Sequence, residues 1–166
     1  AVARLVNDAG TKTLALGTHP SALPERTLLE EPFDFVCQGE GPFTIAAMLP
    51  HMHRITDYKI PGLWQRGEVS DAIKALNVAD LDTELPGQAL ELLDMKLYRA
   101  HNWHLWTGDP KGGYASVQTS LGCVFRCAFC CIQAPFGQED PRMRFWSPAN
   151  VAGQIERLVL DYGVVN

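Results

Sequence analysis

Four of the five cysteines in this 166-residue sequence lie within residues 123–131, and three of them have the spacing Cys-x3-Cys-x2-Cys. These three are Cys123, Cys127 and Cys130. Thiolates this close together in one loop can converge on a single metal ion or cluster. No signal peptide is recognisable at the start of the chain, so the clustering favours a metal site over a disulfide framework.

The number of thiols limits the kinds of metal site. A cubane iron–sulfur cluster has four irons, so three cysteines leave one iron open for a small molecule. Phe125 and Phe129, which lie between the cysteines, would shield such a cluster from water. Three alternatives stay open: structural zinc with Cys131 or a distant His as fourth ligand, a four-cysteine electron-transfer cluster, and a disulfide or inert thiols. Cys37 and Cys131 are predicted to be small buried hydrophobic residues.

The elements around these cysteines resemble the start of a β/α repeat. The residues 114–119 predict a strand, and Ser147-Pro148 predicts the start of a helix, because Ser is a favoured N-cap and Pro a favoured first residue. Gly163 is placed to end that helix, and Val164-Val165 predicts the beginning of another strand. The apolar face of the helix has helical spacing and consists of Val151, Ile155, Leu158, Val159 and Tyr162.

The first 55 residues also alternate between helix and strand signals. This alternation predicts βαβ units with a parallel sheet, and hence an α/β fold. The predicted order is a helix end near residues 2–6, a strand over 13–17, a loop over 18–21, a helix over 22–31, a strand over 33–37 and a helix over 43–53. Because this order starts at a helix, we expect the chain to begin inside a domain.

Residues 56–112 form a different kind of segment. Pro and Gly punctuate it densely, and a helix is predicted only over 88–93. An edge strand is predicted over 58–64. Its many Leu and Trp residues are too apolar for a free linker, so we expect an ordered connector between two domains.

Composition excludes several classes of protein. Hydrophobic residues make up 46% and charged residues 20% of the chain, which excludes a disordered, collagen-like or coiled-coil protein. No apolar run approaches the ~18 residues of a membrane span. We therefore expect no membrane span. The net charge is −5 and there is no basic block, so we do not expect a nucleic-acid partner either.

The cysteine segment resembles the radical S-adenosylmethionine (radical SAM) enzymes. Their signature is Cys-x3-Cys-x-aromatic-Cys in the loop after the first barrel strand, which corresponds here to Cys123, Cys127 and Cys130 with Phe129 as the aromatic residue. The flanking residues 119–122 and 144–148 are similar to those of the superfamily as well. The resemblance implies a partial (β/α) barrel that begins near residue 113.

The earlier segments resemble the second half of a cobalamin-binding domain and the connector that follows it in one branch of these enzymes. The residues concerned are 17–25, 34–36, 39–41, 80–82, 85–86 and 93–94. Together the resemblances imply an internal fragment of a cobalamin-dependent (class B) radical SAM protein. Its predicted parts are a partial Rossmann-like cobalamin-binding domain over 1–55, a connector over 56–112 and the start of the barrel over 113–166.

The resemblance also implies a function. The three cysteines would hold a [4Fe–4S] cluster whose open iron binds S-adenosylmethionine, and reductive cleavage would give a 5′-deoxyadenosyl radical. Phe129 would lie against the nucleoside, and Gly17 and His19 near the cobalamin tail. The expected reaction is cobalamin-dependent methyl transfer or oxidative cyclisation of a small or medium organic substrate. A flavodoxin- or ferredoxin-type donor would supply electrons in a reducing cytoplasm, and no catalytic residue is assigned. The alternative is a non-catalytic zinc or iron–sulfur module.

Overall fold

The structure, a computed structural model, divides the chain into two compact units. It describes residues 2–52, 54, 59–67, 76–99, 113–136 and 142–166. Unit 1 consists of Ala1–Val78 and Gly122–Met143, and unit 2 consists of Ala79–Leu121 and Arg144–Asn166. The three-part division into cobalamin domain, connector and barrel stays a prediction.

Short helices and strands alternate along the described residues. The helices are α1 (Val2–Asp8), α2 (Thr18–Ala22), α3 (Pro24–Glu30), α4 (Pro42–Met48), α5 (Leu81–Glu84), α6 (Gln133–Phe136) and α7 (Pro148–Tyr162). The strands are β1 (Leu14–Leu16), β2 (Phe35–Cys37), β3 (Leu63–Gln65), β4 (Ser120–Gly122) and β5 (Met143–Phe145). Single 3₁₀ turns occur at Leu49–His51, Leu90–Leu92 and Met95–Leu97. No helix among the described residues is long and apolar enough to cross a membrane.

Unit 1 contains a sheet in which β2 lies between β1 and β3. The pairing of β1 with β2 is parallel, with Ala15 opposite Val36, and that of β2 with β3 is antiparallel, with Val36 opposite Trp64. Helices α2 and α3 supply the crossover that a parallel pair requires. The predicted α/β fold is therefore confirmed, as are the strands predicted over 13–17 and 33–37. Of the predicted edge strand over 58–64, residue 58 lies outside the described residues, and only residues 63–64 belong to a strand, β3.

The core of unit 1 covers both faces of β2. Successive strand residues point to opposite faces, so Phe35 and Val36 enter different clusters. Phe35 packs with Met48 from α4 and with Ile60 and Leu63. Val36 packs with Leu28 from α3 and with Ala15. The sheet therefore lies between α3 and α4, the layering expected of an α/β domain.

The predicted loop over 18–21 is wrong, because these residues form the helix α2. Gly17 has φ of +120°, a conformation that glycine adopts without steric cost, and its carbonyl accepts the first helical hydrogen bond from the amide of Ser21 at 3.1 Å. Pro20 lies in the first turn, where a missing N–H costs little. The helix predicted over 22–31 is correspondingly shorter and begins at Pro24.

Unit 2 is organised by α7, whose predicted bounds are confirmed. The Ser147 hydroxyl accepts a hydrogen bond from the amide of Asn150 at 3.1 Å, and Gly163 ends the helix with φ of +63°. Of the predicted apolar face, Leu158 is buried and packs with Leu90 and Val164. Ile155 and Val159, in contrast, are about half exposed (48% and 49%).

The strand predicted over 114–119 is wrong, because the strand in this region is β4 at Ser120–Gly122, in a two-stranded sheet with β5. The strand predicted at 164–165 amounts to a single parallel bridge between Gly113 and Val164. Ala115 and Val117 do pack against the Leu158 cluster. The alternation of apolar residues in 114–119 therefore indicates that one side of an extended segment is buried. Such burial does not require a ladder of backbone hydrogen bonds to a neighbouring strand.

Asp34 joins the two parallel strands of unit 1 through charged hydrogen bonds. Its carboxylate accepts hydrogen bonds from Lys12 Nζ at 2.8 Å and from the amide and the hydroxyl of Thr13, both at 2.9 Å. Burial alone would raise the pKa of Asp34, but the hydrogen bonds from Lys12 and Thr13 lower it below its ordinary value. The ionised form of Asp34 is therefore the one that stabilises the fold.

We expect Asp34→Asn to lower the free energy of unfolding at neutral pH by about 1–2 kcal/mol, because the amide cannot accept all three hydrogen bonds. A lowered carboxyl pKa contributes stability that is present above the unfolded-state pKa of about 4 and is lost as pH falls through the folded-state pKa. Urea unfolding of both proteins from neutral to acidic pH measures this. The difference between them should shrink in acid, and a difference independent of pH would contradict this role.

Candidate functional site

The cysteine loop, defined as residues 123–132, lies in unit 1 between Gly122, the last residue of β4, and α6. Gly122, the residue before the loop, has φ of +92°, and a Cβ atom at this position would collide with the carbonyl oxygen of Arg142. The backbones of residues 122 and 142 therefore approach more closely than any residue with a side chain permits. This contact fixes where the loop leaves the sheet, one residue before Cys123.

Cys127 and Cys130 occupy the two ends of a tight turn. The amide of Cys130 donates a hydrogen bond to the carbonyl of Cys127 at 3.0 Å, which closes a four-residue turn with Ala128 and Phe129 at its centre. Such a turn holds its first and last Cα atoms within about 7 Å of each other. The x2 spacing of the motif thus has a direct structural result, which is to bring the backbones of two cysteines close together.

The thiols of the loop are accessible. Cys127 and Cys130 are exposed, Cys123 is half-buried, and none of them forms a disulfide. Among the residues that the structure describes, no group of three His, Cys, Asp or Glu side chains is arranged as a ready metal site. The assignment of Cys123, Cys127 and Cys130 as ligands therefore stays a prediction.

The chemistry of the donor set fits an iron–sulfur cluster. Iron–sulfur clusters are bound by thiolates, and three accessible thiols lie within eight consecutive residues of one loop, from Cys123 to Cys130. Ordered elements, β4 and α6, flank the loop at its two ends, so the candidate ligands are attached to folded structure. Cys123, Cys127 and Cys130 are the residues that would hold the cluster.

The aromatic residues of the loop face outward. Phe129 is 93% exposed and Phe125 is 67% exposed. Each exposed aromatic ring leaves a large apolar area in water, which a bound group could cover. Both rings are therefore available to cover a bound group, while their predicted roles in shielding a cluster and in contacting S-adenosylmethionine stay predictions.

Gln133, the first residue of α6, ties the loop to the body of unit 1. Its side-chain Nε2 donates hydrogen bonds to the carbonyl oxygens of Cys123, at 2.8 Å, and Phe125, at 2.6 Å. The side chain is buried. Nothing in the cysteine motif pointed to this residue, because its role depends on backbone groups of the loop that no residue pattern encodes.

The segment predicted to lie near cobalamin belongs to the same unit. Gly17 directly precedes α2, and His19 lies within α2 on its exposed side. Helix α2 follows the carboxyl end of β1 and packs against α6, which follows the cysteine loop. Ligands of open parallel sheets bind beyond the carboxyl ends of the strands, so α2 lies at the edge where a ligand is expected. The assignment of Gly17 and His19 to cobalamin stays a prediction.

The two remaining cysteines differ from each other. Cys37 is fully buried in β2, and burial raises the pKa of its thiol despite a hydrogen bond with Thr44. A thiol that resists ionisation in this way is a poor metal ligand. The prediction that Cys131 is buried is wrong, because it is exposed next to Cys130. The turn that presents Cys130 ends there, and the chain enters α6 with Cys131 on the outside.

The chain is similar to a curated protein over most of its length. The chain is 32% identical over 152 residues to an uncharacterized methyltransferase of Pyrococcus horikoshii. The aligned region covers 89% of this chain but only 30% of that protein. Because such a stretch leaves fewer than twenty of the 166 residues outside it, it includes the cysteine loop. No protein-family model matches the sequence, and no solved structure matches it.

Proposed function

We propose that this chain is part of a radical SAM enzyme in which Cys123, Cys127 and Cys130 hold a [4Fe–4S] cluster. The observation that carries the proposal is the cysteine loop itself. It has the spacing of the family signature, two of its cysteines at the ends of one turn, and accessible thiols. A bound cluster of this kind would supply the electron that cleaves S-adenosylmethionine.

The residues of the chain would bind, orient and shield the bound groups. Three thiolates for four irons leave one iron open, where S-adenosylmethionine would bind. Phe129 projects from the centre of the turn between Cys127 and Cys130, a position from which its ring would cover the nucleoside. Phe125 would exclude water from the other side of the loop.

Methyl transfer with the help of cobalamin is the reaction that we favour, with oxidative cyclisation as the alternative outcome. The relative from Pyrococcus horikoshii is described as a methyltransferase, and its aligned region includes the cysteine loop. Helix α2, with His19, lies at the carboxyl edge of the parallel strands and packs against α6. A cobalamin bound there would lie in the same unit as the cluster. An organic substrate and a flavodoxin- or ferredoxin-type electron donor complete the proposal.

A non-catalytic metal-binding module is the second candidate, and one observation favours it. Cys131 is exposed and adjacent to Cys130, so a fourth thiol is available to complete a closed site. Adjacent residues rarely direct both side chains to one metal, and zinc sites usually consist of two separate ligand pairs. We therefore place this candidate second.

The two candidate functions differ in whether the bound metal includes an open iron that S-adenosylmethionine can bind. The reconstituted chain would be reduced anaerobically, and its electron paramagnetic resonance spectrum recorded with and without S-adenosylmethionine. Binding at an open iron is expected to change the spectrum. The control ligand is 5′-methylthioadenosine, which lacks the amino and carboxylate groups that would bind the iron and should leave the spectrum unchanged. A spectrum that S-adenosylmethionine leaves unchanged would contradict the proposed function.

A further inference from the structure

Gln133 binds the cysteine loop through two side-chain hydrogen bonds. Its Nε2 atom lies 2.8 Å from the carbonyl oxygen of Cys123 and 2.6 Å from that of Phe125. Both neighbours are acceptors, and only the amide nitrogen of Gln can donate, so the orientation of the side chain is fixed by its surroundings. One amide group therefore joins two backbone positions that flank Val124.

The other atom of the same amide is unusual. Gln133 is only 8% exposed, and its Oε1 is buried without a hydrogen-bond partner among the residues that the structure describes. A buried, unpartnered polar atom costs free energy, and an apolar residue of similar size would avoid this cost. We therefore attribute the presence of an amide at this buried position to its two N–H groups, which bind the loop.

The position of Gln133 makes this bond an anchor. As the first residue of α6, it belongs to a helix that packs against α2, which in turn follows β1. The neighbouring amide of Ala134 donates to the carbonyl of Cys131 at 3.0 Å, so the far end of the loop is fixed at the same place. Among the described residues, no other side chain donates a hydrogen bond to the carbonyl oxygen of Cys123 or Phe125.

We propose that Gln133 is a positioning residue that holds Cys123 in place relative to Cys127 and Cys130. The turn keeps Cys127 and Cys130 together, but Cys123 lies four residues earlier, outside the turn. The close approach of residues 122 and 142 fixes only the residue before it, and Gln133 fixes the backbone on both sides of Val124. The idea that this constraint preorganises three ligands for one cluster rests on the proposed function. The constraint itself does not depend on that function, because it consists of the two hydrogen bonds of Gln133.

The first readout needs no metal. In the metal-free chain, the reaction of each thiol with N-ethylmaleimide would be followed by mass spectrometry for wild type, Gln133→Met and Gln133→Glu. Methionine keeps the volume without donors, and ionised glutamate places a carboxylate opposite two carbonyl oxygens. We expect Cys123, which is half-buried, to react several times faster in both variants. Cys127 and Cys130 are already exposed and should change little, while Cys37 should stay protected.

The second readout uses the reconstituted chain. Loss of iron to a chelator would be timed for the same proteins, and we expect it to be about tenfold faster or more in Gln133→Met, the usual effect of removing a group that orients metal ligands. Gln38→Met is the matched control. Gln38 also makes two internal hydrogen bonds in unit 1, to the carbonyl of Ser21 and from the indole of Trp64, but none to the loop.

The outcomes distinguish the two proposals. Faster reaction of Cys123 in the Gln133 variants but not in Gln38→Met supports the positioning role. An unchanged rate at Cys123 would overturn it, and so would equal deprotection of Cys123 and Cys37, since that pattern means general unfolding. If wild type takes up no iron at all, the proposed function fails, and the alkylation rates still decide the role of Gln133.

Discussion

Replacing Cys127 by Ala is expected to abolish binding of the proposed iron–sulfur cluster. Cys127 is an exposed thiol at one end of the turn that it forms with Cys130, and no other side chain in the turn can replace its thiolate. With two of three ligands left, the chain should retain on the order of one iron or fewer in place of about four. Iron and sulfide analysis after anaerobic reconstitution measures this, together with the loss of visible absorbance.

Cys131→Ala is the matched control for this experiment. Cys131 is exposed in the same loop and has the same chemistry, so its removal reports any nonspecific effect of losing a thiol. We expect its iron and sulfide contents to equal those of wild type. If Cys131→Ala loses the cluster as completely as Cys127→Ala, the assignment of the ligands is wrong and the closed four-cysteine site is favoured.

Gly122→Ala is expected to be the most destabilising single substitution at the site. Its φ of +92° is costly for any residue with a side chain, and the new Cβ would collide with the carbonyl oxygen of Arg142. A positive φ alone costs about 1–2 kcal/mol, and displacement of the backbone adds to it, so we expect a total loss of about 3 kcal/mol or more. Urea unfolding of the metal-free chain gives the free energy directly.

Gly67→Ala separates the two contributions. Gly67 has a nearly identical φ of +88°, but a Cβ there meets nothing within 4 Å among the described residues. It should therefore lose only the conformational part, about 1–2 kcal/mol. Equal losses at the two glycines would mean that the close approach of residues 122 and 142 contributes nothing to stability.

The sequence predicts the elements best where one residue type imposes one geometry. Ser147, Pro148 and Gly163 define both ends of α7 because capping and left-handed backbone conformations are local properties. The strands β1 and β2 follow from short apolar runs between turn residues. The α/β fold in turn follows from their alternation with helices.

Other predictions fail where contacts between residues distant in sequence determine the local secondary structure. The segment after Gly17 is helical although it contains His19-Pro20, because a turn at Gly17 and contacts with α6 outweigh weak helix propensity. The alternating segment 114–119 packs on one side without forming a ladder. In the candidate site, the spacing of the cysteines is readable from the sequence. The bonds of Gln133 and the approach of Gly122 to Arg142 are not, because they join residues through backbone atoms that are common to every amino acid.

The most direct test of this account is the stoichiometry of iron and sulfide. The full chain would be reconstituted anaerobically with iron and sulfide, freed of unbound metal, and analysed for iron, sulfide and zinc. The three-cysteine cluster predicts about four irons per chain with an equivalent amount of sulfide. One bound zinc without sulfide would contradict it, and would identify the cysteine loop as a zinc site instead.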